Sequence, residues 1–240
     1  MAKIIYEPSG RAKEYCDLAV NLYKGCSHAC KYCYAPSATF TTREDFNNHQ
    51  EPRKNIIEKL RVDAQNNQGN GDHVLLSFTS DAYQHLDQEL QLTRQAIKIL
   101  KENGYNIVIL TKAGERAERD FDLLDNNDFV GATLTCDNEK DSLKWEPGAA
   151  LPEERIEMIK KAKNKGIGTW VSLEPVIYPK QSLNLIDITK DFVDLFKVGK
   201  LNYNKKANEI DWTDFAHDAI DKLKRYDKQY YIKKDLREYL

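Results

Sequence analysis

Three cysteines, Cys26, Cys30 and Cys33, fall within the run Gly25-Cys26-Ser27-His28-Ala29-Cys30-Lys31-Tyr32-Cys33-Tyr34-Ala35. With three and then two residues between them, a compact loop can wrap three thiolates around one small inorganic core, and Gly25 permits the entry turn. Cys16 and Cys136 lie apart from this group. Three thiolates with no fourth cysteine nearby have a chemical meaning. On a cubane of four irons they leave one iron open to a substrate or cofactor, whereas a structural zinc site closes all four positions. Zinc would need His28 or Cys16 as its fourth ligand. His28 lies between two of the cysteines, an awkward position for joining their tetrahedron, and Cys16 lies one strand length away. Ligand chemistry therefore favours a 4Fe–4S cluster over a non-catalytic zinc module. An iron–sulfur electron carrier or redox sensor, the third reading, also wants all four ligands closed.

Composition narrows the setting. The 240 residues hold 36 Lys and Arg against 38 Asp and Glu, a formal net charge of -2. No whole-protein field exists to hold a polyanion, so nucleic acid would have to be met in a local groove. The longest apolar run is about five residues against the ~20 needed to span a bilayer. The start, MAKIIYEPSGRAKEY, has no apolar stretch of the signal-peptide kind. A cytoplasmic protein with no membrane partner is expected. An odd number of cysteines, three of them clustered, argues against a disulfide framework.

Positioning the trio falls to alternating elements. Apolar, β-branched runs recur at Leu18 to Leu22, Val74 to Phe78, Ile107 to Leu110, Phe129 to Leu134, Thr169 to Leu173 and Asp194 to Val198. Each reads as a short buried strand of a parallel sheet. Helical stripes fall at Pro52 to Ala64, Leu90 to Leu100, Arg116 to Leu124, Pro152 to Lys163 and Trp212 to Arg225. Alternation of strand and helix gives an α/β fold with right-handed crossovers. Periodicity alone leaves both an open doubly wound sheet and a full or partial barrel possible. The polar run Gln65 to Asp72 reads as a solvated loop, and residues 227–240 as an added edge strand and a turn of helix. Nothing in composition divides the chain, so one domain is expected, with a core over about 17–202 and a tail over 203–240. In such sheets ligands bind beyond the carboxyl ends of strands, where the cysteine loop falls.

The cysteine spacing, with Tyr32 just before Cys33, resembles the radical S-adenosylmethionine superfamily. The wider run NLYKGCSHACKYCYA looks like its spore photoproduct lyase-like branch. So, in order, do SFTSDAYQ (77–84), LTRQAIKIL (92–100), ILTKAGERAERDFDLL (109–124), EPGAALPEERIEMI (146–159) and VSLEPVI (171–177). The resemblance implies a partial (β/α)6 TIM-type barrel with a 4Fe–4S cluster on Cys26, Cys30 and Cys33 at its mouth. S-adenosylmethionine would chelate the open iron and be cleaved reductively to a 5′-deoxyadenosyl radical that takes a hydrogen atom from the substrate.

The same resemblance places Ser80 and Asp81 at the cofactor's amino group, Lys112 at its carboxylate and Thr133 near its ribose or carboxylate. Tyr32 and Tyr34 are candidates for packing on the adenine. Glu174, ending the fifth strand before a proline, is a candidate for adenine, ribose or substrate. Gly199 would leave room at the sixth strand end, and Lys200 is a candidate for an anionic substrate. The spore lyase carries a hydrogen-donating cysteine before its T-S-D; here Phe78 stands there, and Cys136 becomes the candidate donor. The expected partners are a flavodoxin- or ferredoxin-like reductant and a substrate ranked as nucleic-acid base or lesion, then peptide, then small metabolite.

Overall fold

In the computed structural model, residues 3–240 are described. Seven strands form one sheet: β1 Leu18–Val20, β2 His73–Leu76, β3 Asn106–Thr111, β4 Phe129–Thr133, β5 Gly168–Val176, β6 Leu195–Lys200 and β7 Gln229–Ile232. Each pairs in parallel with the next, in simple sequence order. A doubly wound sheet needs a point where the order reverses. None occurs among the described residues, and β1 and β7 do not pair with each other, so the sheet is a barrel left partly open. Register aligns the carboxyl ends: Val20 opposes Leu76, Leu76 opposes Ile109, and Thr133 opposes Ser172. Six of the strands match the expected runs, and the tail supplies the seventh.

Successive residues of a strand face opposite sides of the sheet, and here both sides are occupied. Val74, Leu76, Ile107, Ile109, Val171 and Leu173 face outward to a large core. The helices covering it are α1 Ile56–Asn66, α2 Leu92–Glu102, α3 Pro152–Asn164, α4 Pro179–Thr189 and α5 Trp212–Arg225. Ala19, Leu75, Val108 and Trp170 face inward in a smaller cluster. Trp170 anchors that cluster through Nε1, which donates to the carbonyl of Ile109 at 3.0 Å.

Three departures from the sequence reading have physical causes. The run Leu18 to Leu22 stops as a strand at Val20 because Asn21 turns its side chain to cap the chain after β2, accepting from the amides of Phe78 and Thr79 at 2.8 and 3.0 Å. Helix α4 was not foreseen: its buried positions are Ser182, Leu185, Ile186 and Thr189, and two polar residues interrupt the apolar stripe. The stretch expected as a helix from Arg116 is a 3-10 helix, Gly114–Leu123, whose first residue sits at φ +60 against Ala150 and Glu154 of the α3 entry.

Candidate active site

The cysteine loop leaves the end of β1 and is fastened from four directions. The Cys26 amide donates to the Phe46 carbonyl at 2.9 Å and the Lys31 amide to the Trp145 carbonyl at 2.9 Å. Buried Gln84 accepts from the Ser27 amide at 3.1 Å and donates to the Gly25 carbonyl at 3.3 Å, standing in for a neighbouring strand. Arg43 donates to the carbonyls of Cys30 and Cys33 at 3.0 and 2.9 Å. Gly25 has φ +70, as the entry turn requires, and a side chain there would run into the Phe46 and His49 carbonyls. Gly148 packs so closely on Ser27 that a Cβ would displace the loop, and its amide donates to the His28 carbonyl at 3.0 Å.

Burial pushes the Cys26 thiol up to about 12, with Asp81 adding to the shift. Burial raises Cys30 as well, opposed by Lys112. Among the described residues no three His, Cys, Asp or Glu side chains gather closely enough to grip a single metal ion. Both residues named as a fourth zinc ligand are held elsewhere. Cys16 lies at the amino end of the sheet, its Sγ 3.2 Å from the His73 carbonyl, beside a cavity of about 590 Å³ walled by Phe129, Trp170 and Lys197. His28 has both ring nitrogens engaged: Nδ1 lies 3.4 Å from Asp81 Oδ2, and Nε2 faces Arg116 Nη2 at 3.2 Å. Three thiols with no fourth donor fit a cluster that keeps one iron open.

The residues expected to hold the cofactor divide into free and occupied groups. Ser80 Oγ is buried without a hydrogen-bond partner among the described residues. Among the described residues Lys112 makes no ion pair, and it lies 5.8 Å from the centre of the Tyr32 ring. Burial works against its charge, but Cys30 and Glu146 outweigh that and hold its pKa above the usual value. Asp81 is fully engaged. Its Oδ1 accepts from the Tyr83 amide at 2.9 Å and Thr111 Oγ1 at 2.7 Å, and its Oδ2 accepts from the Lys112 amide at 2.8 Å and faces His28. Asp81 therefore ties the ends of β2 and β3 to the cysteine loop. Thr133 is buried at the end of β4, and its carbonyl accepts from Arg155 Nη1 at 2.9 Å.

Tyr32 turns its hydroxyl inward to Glu146, while Tyr34 is half exposed and donates to the Phe78 carbonyl at 3.2 Å. Glu174 occupies the space left by Gly199, where a Cβ would lie 2.6 Å from its Cδ. Its Oε2 accepts from Tyr15 Oη and sits 2.8 Å from Lys233 Nζ. Lys200 donates to Tyr239 Oη at 2.6 Å. Cys136, expected to face the mouth, is 1% exposed and packs against Trp145 and Ile177, with burial raising its thiol to about 12.

Sequence reasoning missed the residues that hold these groups. Glu146 and Arg155 form a buried pair behind Tyr32. Tyr15, from the segment before β1, and Lys233, just after β7, reach Glu174 across the open side of the barrel. Both lie in stretches with no periodic pattern, so only their charged or hydroxyl ends gave any sign.

Comparison with known proteins places this arrangement. Residues 20–193 match the Radical SAM superfamily. An uncharacterized protein of Methanocaldococcus jannaschii is 29% identical over 191 residues, covering 76% of this chain and 70% of that protein. An uncharacterized protein of Mycobacterium bovis is 28% identical over 167 residues, covering 66% of this chain and 49% of that protein, so the chain spans about half of the mycobacterial relative. Spore photoproduct lyase complexed with dinucleoside spore photoproduct superposes with a TM-score of 0.73 at 14% identity, over 94% of this chain and 78% of that one. Streptococcus suis SuiB bound to S-adenosylmethionine gives 0.65 at 15% identity, over 92% of this chain and 51% of that one. The match over most of the sheet and the trio at its strand ends lead to one assignment: the chain belongs to the Radical SAM superfamily.

Proposed function

We propose that this radical SAM enzyme holds one 4Fe–4S cluster on Cys26, Cys30 and Cys33 and cleaves S-adenosylmethionine reductively. The observation that carries the reading is the pairing of a three-thiol loop with an unpartnered Ser80 hydroxyl and an ion-pair-free Lys112 at the same end of the sheet. When bound, the cluster supplies the electron that breaks a sulfonium C–S bond to give a 5′-deoxyadenosyl radical. The chain's own part is placement. Ser80 Oγ accepts from the cofactor's ammonium, and Lys112 meets its carboxylate with a charge that Cys30 and Glu146 favour. Thr133, Tyr32, Tyr34 and Glu174 are the further groups assigned to the cofactor. The closed side wall of Tyr15, Glu174 and Lys233 limits water near the reacting centre.

A nucleic-acid base or lesion stands first among substrates, on the likeness to a lyase complexed with a dinucleoside photoproduct. Phe78 leaves the hydrogen-returning role to another group, and Cys136 is the candidate if the wall around Trp145 opens. A flavodoxin- or ferredoxin-like protein supplies the electron, and the setting is cytoplasmic. No described helix is long and apolar enough to cross a membrane. Anaerobic reconstitution should give about four irons per chain, and reduction in the presence of S-adenosylmethionine should yield 5′-deoxyadenosine. A fully loaded protein that never forms it would overturn the proposal.

A further inference from the structure

His28 sits between two cysteines, and its ring nitrogens meet Asp81 and Arg116. It is 2% exposed, and its ring bridges two other elements. Arg116 carries only donors, so at 3.2 Å it donates to Nε2, which must be the unprotonated nitrogen. The ring proton is then on Nδ1, facing Asp81 Oδ2 at 3.4 Å. Arg116 is itself fixed, with Nε donating to the Tyr83 carbonyl at 3.1 Å. The segment carrying Asp81 reaches back in turn, since Gln84 grips Gly25 and Ser27. Two side chains thus latch the cysteine loop and the chain after β2 in opposite directions.

That latch has a consequence for distance. Asp81 adjoins Ser80 in sequence and accepts from the Lys112 amide at 2.8 Å. A loop moored at Asp81 is therefore moored to both groups assigned to the cofactor's amino acid end. We infer that His28 is a positioning residue that sets the spacing between the cysteine trio and the Ser80–Lys112 pair. It acts through Asp81. The inference rests on the proposed function, since it assigns a spacing between that cluster and that cofactor. Reorienting such outer partners of a metal site commonly costs ten- to a hundredfold in affinity or activity, about the range expected here.

The test compares wild type with His28→Leu, His28→Asn and Arg116→Met after anaerobic reconstitution. Iron and sulfide are counted, and the electron spin resonance signal of the reduced cluster is titrated with S-adenosylmethionine. Asparagine keeps a donor near the Nδ1 position, leucine keeps only bulk, and R116M leaves the imidazole but frees Nε2. The expected result is full iron in all four proteins, with H28L needing roughly tenfold more S-adenosylmethionine for the same spectral change. H28N should recover most of that loss, and R116M should shift the same way by less, which keeps the test decisive if H28L does not fold. Identical titrations in wild type, H28L and R116M would overturn the inference. So would a variant that loses iron while its remaining clusters titrate normally, because His28 would then only be holding the loop. A wild type with no cluster, or a cluster blind to S-adenosylmethionine, would overturn the proposed function first and this inference with it.

Discussion

Arg155 Nη1 lies 2.6 Å from Glu146 Oε2, with both side chains buried behind the cysteine loop. Among the described residues Glu146 Oε2 and Arg155 Nη2 find no other hydrogen-bond partner, so the opposite charges hold the pair. Burial alone would raise the Glu146 pKa, but Arg155 and Lys112 hold it below the usual carboxylate range. Arg155 also reaches the carbonyls of Ala150 and Thr133 at 2.8 and 2.9 Å. Removing one member of a buried pair strands the other charge, at a cost of about 3–5 kcal/mol. Arg155→Met should therefore lower the calorimetric Tm by roughly 10 °C. A drop of a degree or two would mean that Glu146 finds solvent when left alone.

The fit of Glu174 into the space at Gly199 is open to a double-mutant cycle. A Cβ at position 199 would lie 2.6 Å from Glu174 Cδ, so Gly199→Ala should cost about 1–3 kcal/mol by overpacking. In a Glu174→Ala background the same substitution should cost almost nothing. Additive losses in chemical denaturation would show that the two residues do not meet.

One carboxylate gives a pH signature remote from the site. Asp194 Oδ2 accepts from the Thr169 amide and hydroxyl, both at 2.9 Å, and Oδ1 pairs with Lys163 of α3. Burial opposes its ionisation, but Lys163 and Thr169 outweigh it and depress the pKa. A depressed acid contributes stability that is present above its unfolded value, about 3.9, and is lost as pH falls through the lower folded value. The Tm gap between wild type and Asp194→Asn should be full at pH 7 and close below about pH 4. A gap unchanged down to pH 3 would contradict this linkage.

The five cysteines should separate cleanly by iron content. Alanine at Cys26, Cys30 or Cys33 should abolish stable iron uptake in reconstituted protein. Cys16→Ser and Cys136→Ala should bind as much iron and sulfide as wild type, because Cys16 faces the His73 carbonyl and Cys136 packs on Trp145. Loss of iron in either of these two would place a fourth thiol at the cluster.

The fold was largely legible because buried parallel strands advertise themselves. Runs such as Ile107 to Leu110 are apolar on both faces, and helix α5 begins and ends where its stripe predicted. Strand order was not legible, since periodicity is the same in a wound sheet and a barrel. The trio was visible from spacing, as was the room at Gly199. Asp81 shows the limit: its type and place suggested a ligand for the cofactor, but its oxygens already accept from Tyr83, Thr111 and the Lys112 amide and face His28. Saturation of that kind depends on backbone amides, which every sequence position carries alike. Glu146 and Arg155 were missed for a related reason, since nothing in their spacing says that two opposite charges will be sealed together.

The contact at Glu174 is completed by Lys233, which reaches it from just beyond β7. A growing polypeptide therefore exposes its thiols to the cell long before that lysine exists, by roughly 10–40 s at ordinary elongation rates of about 5–20 residues per second. An iron centre inserted in that interval would stand against solvent and dioxygen on its unwalled flank. Metal loading after that strand has docked would avoid the exposure.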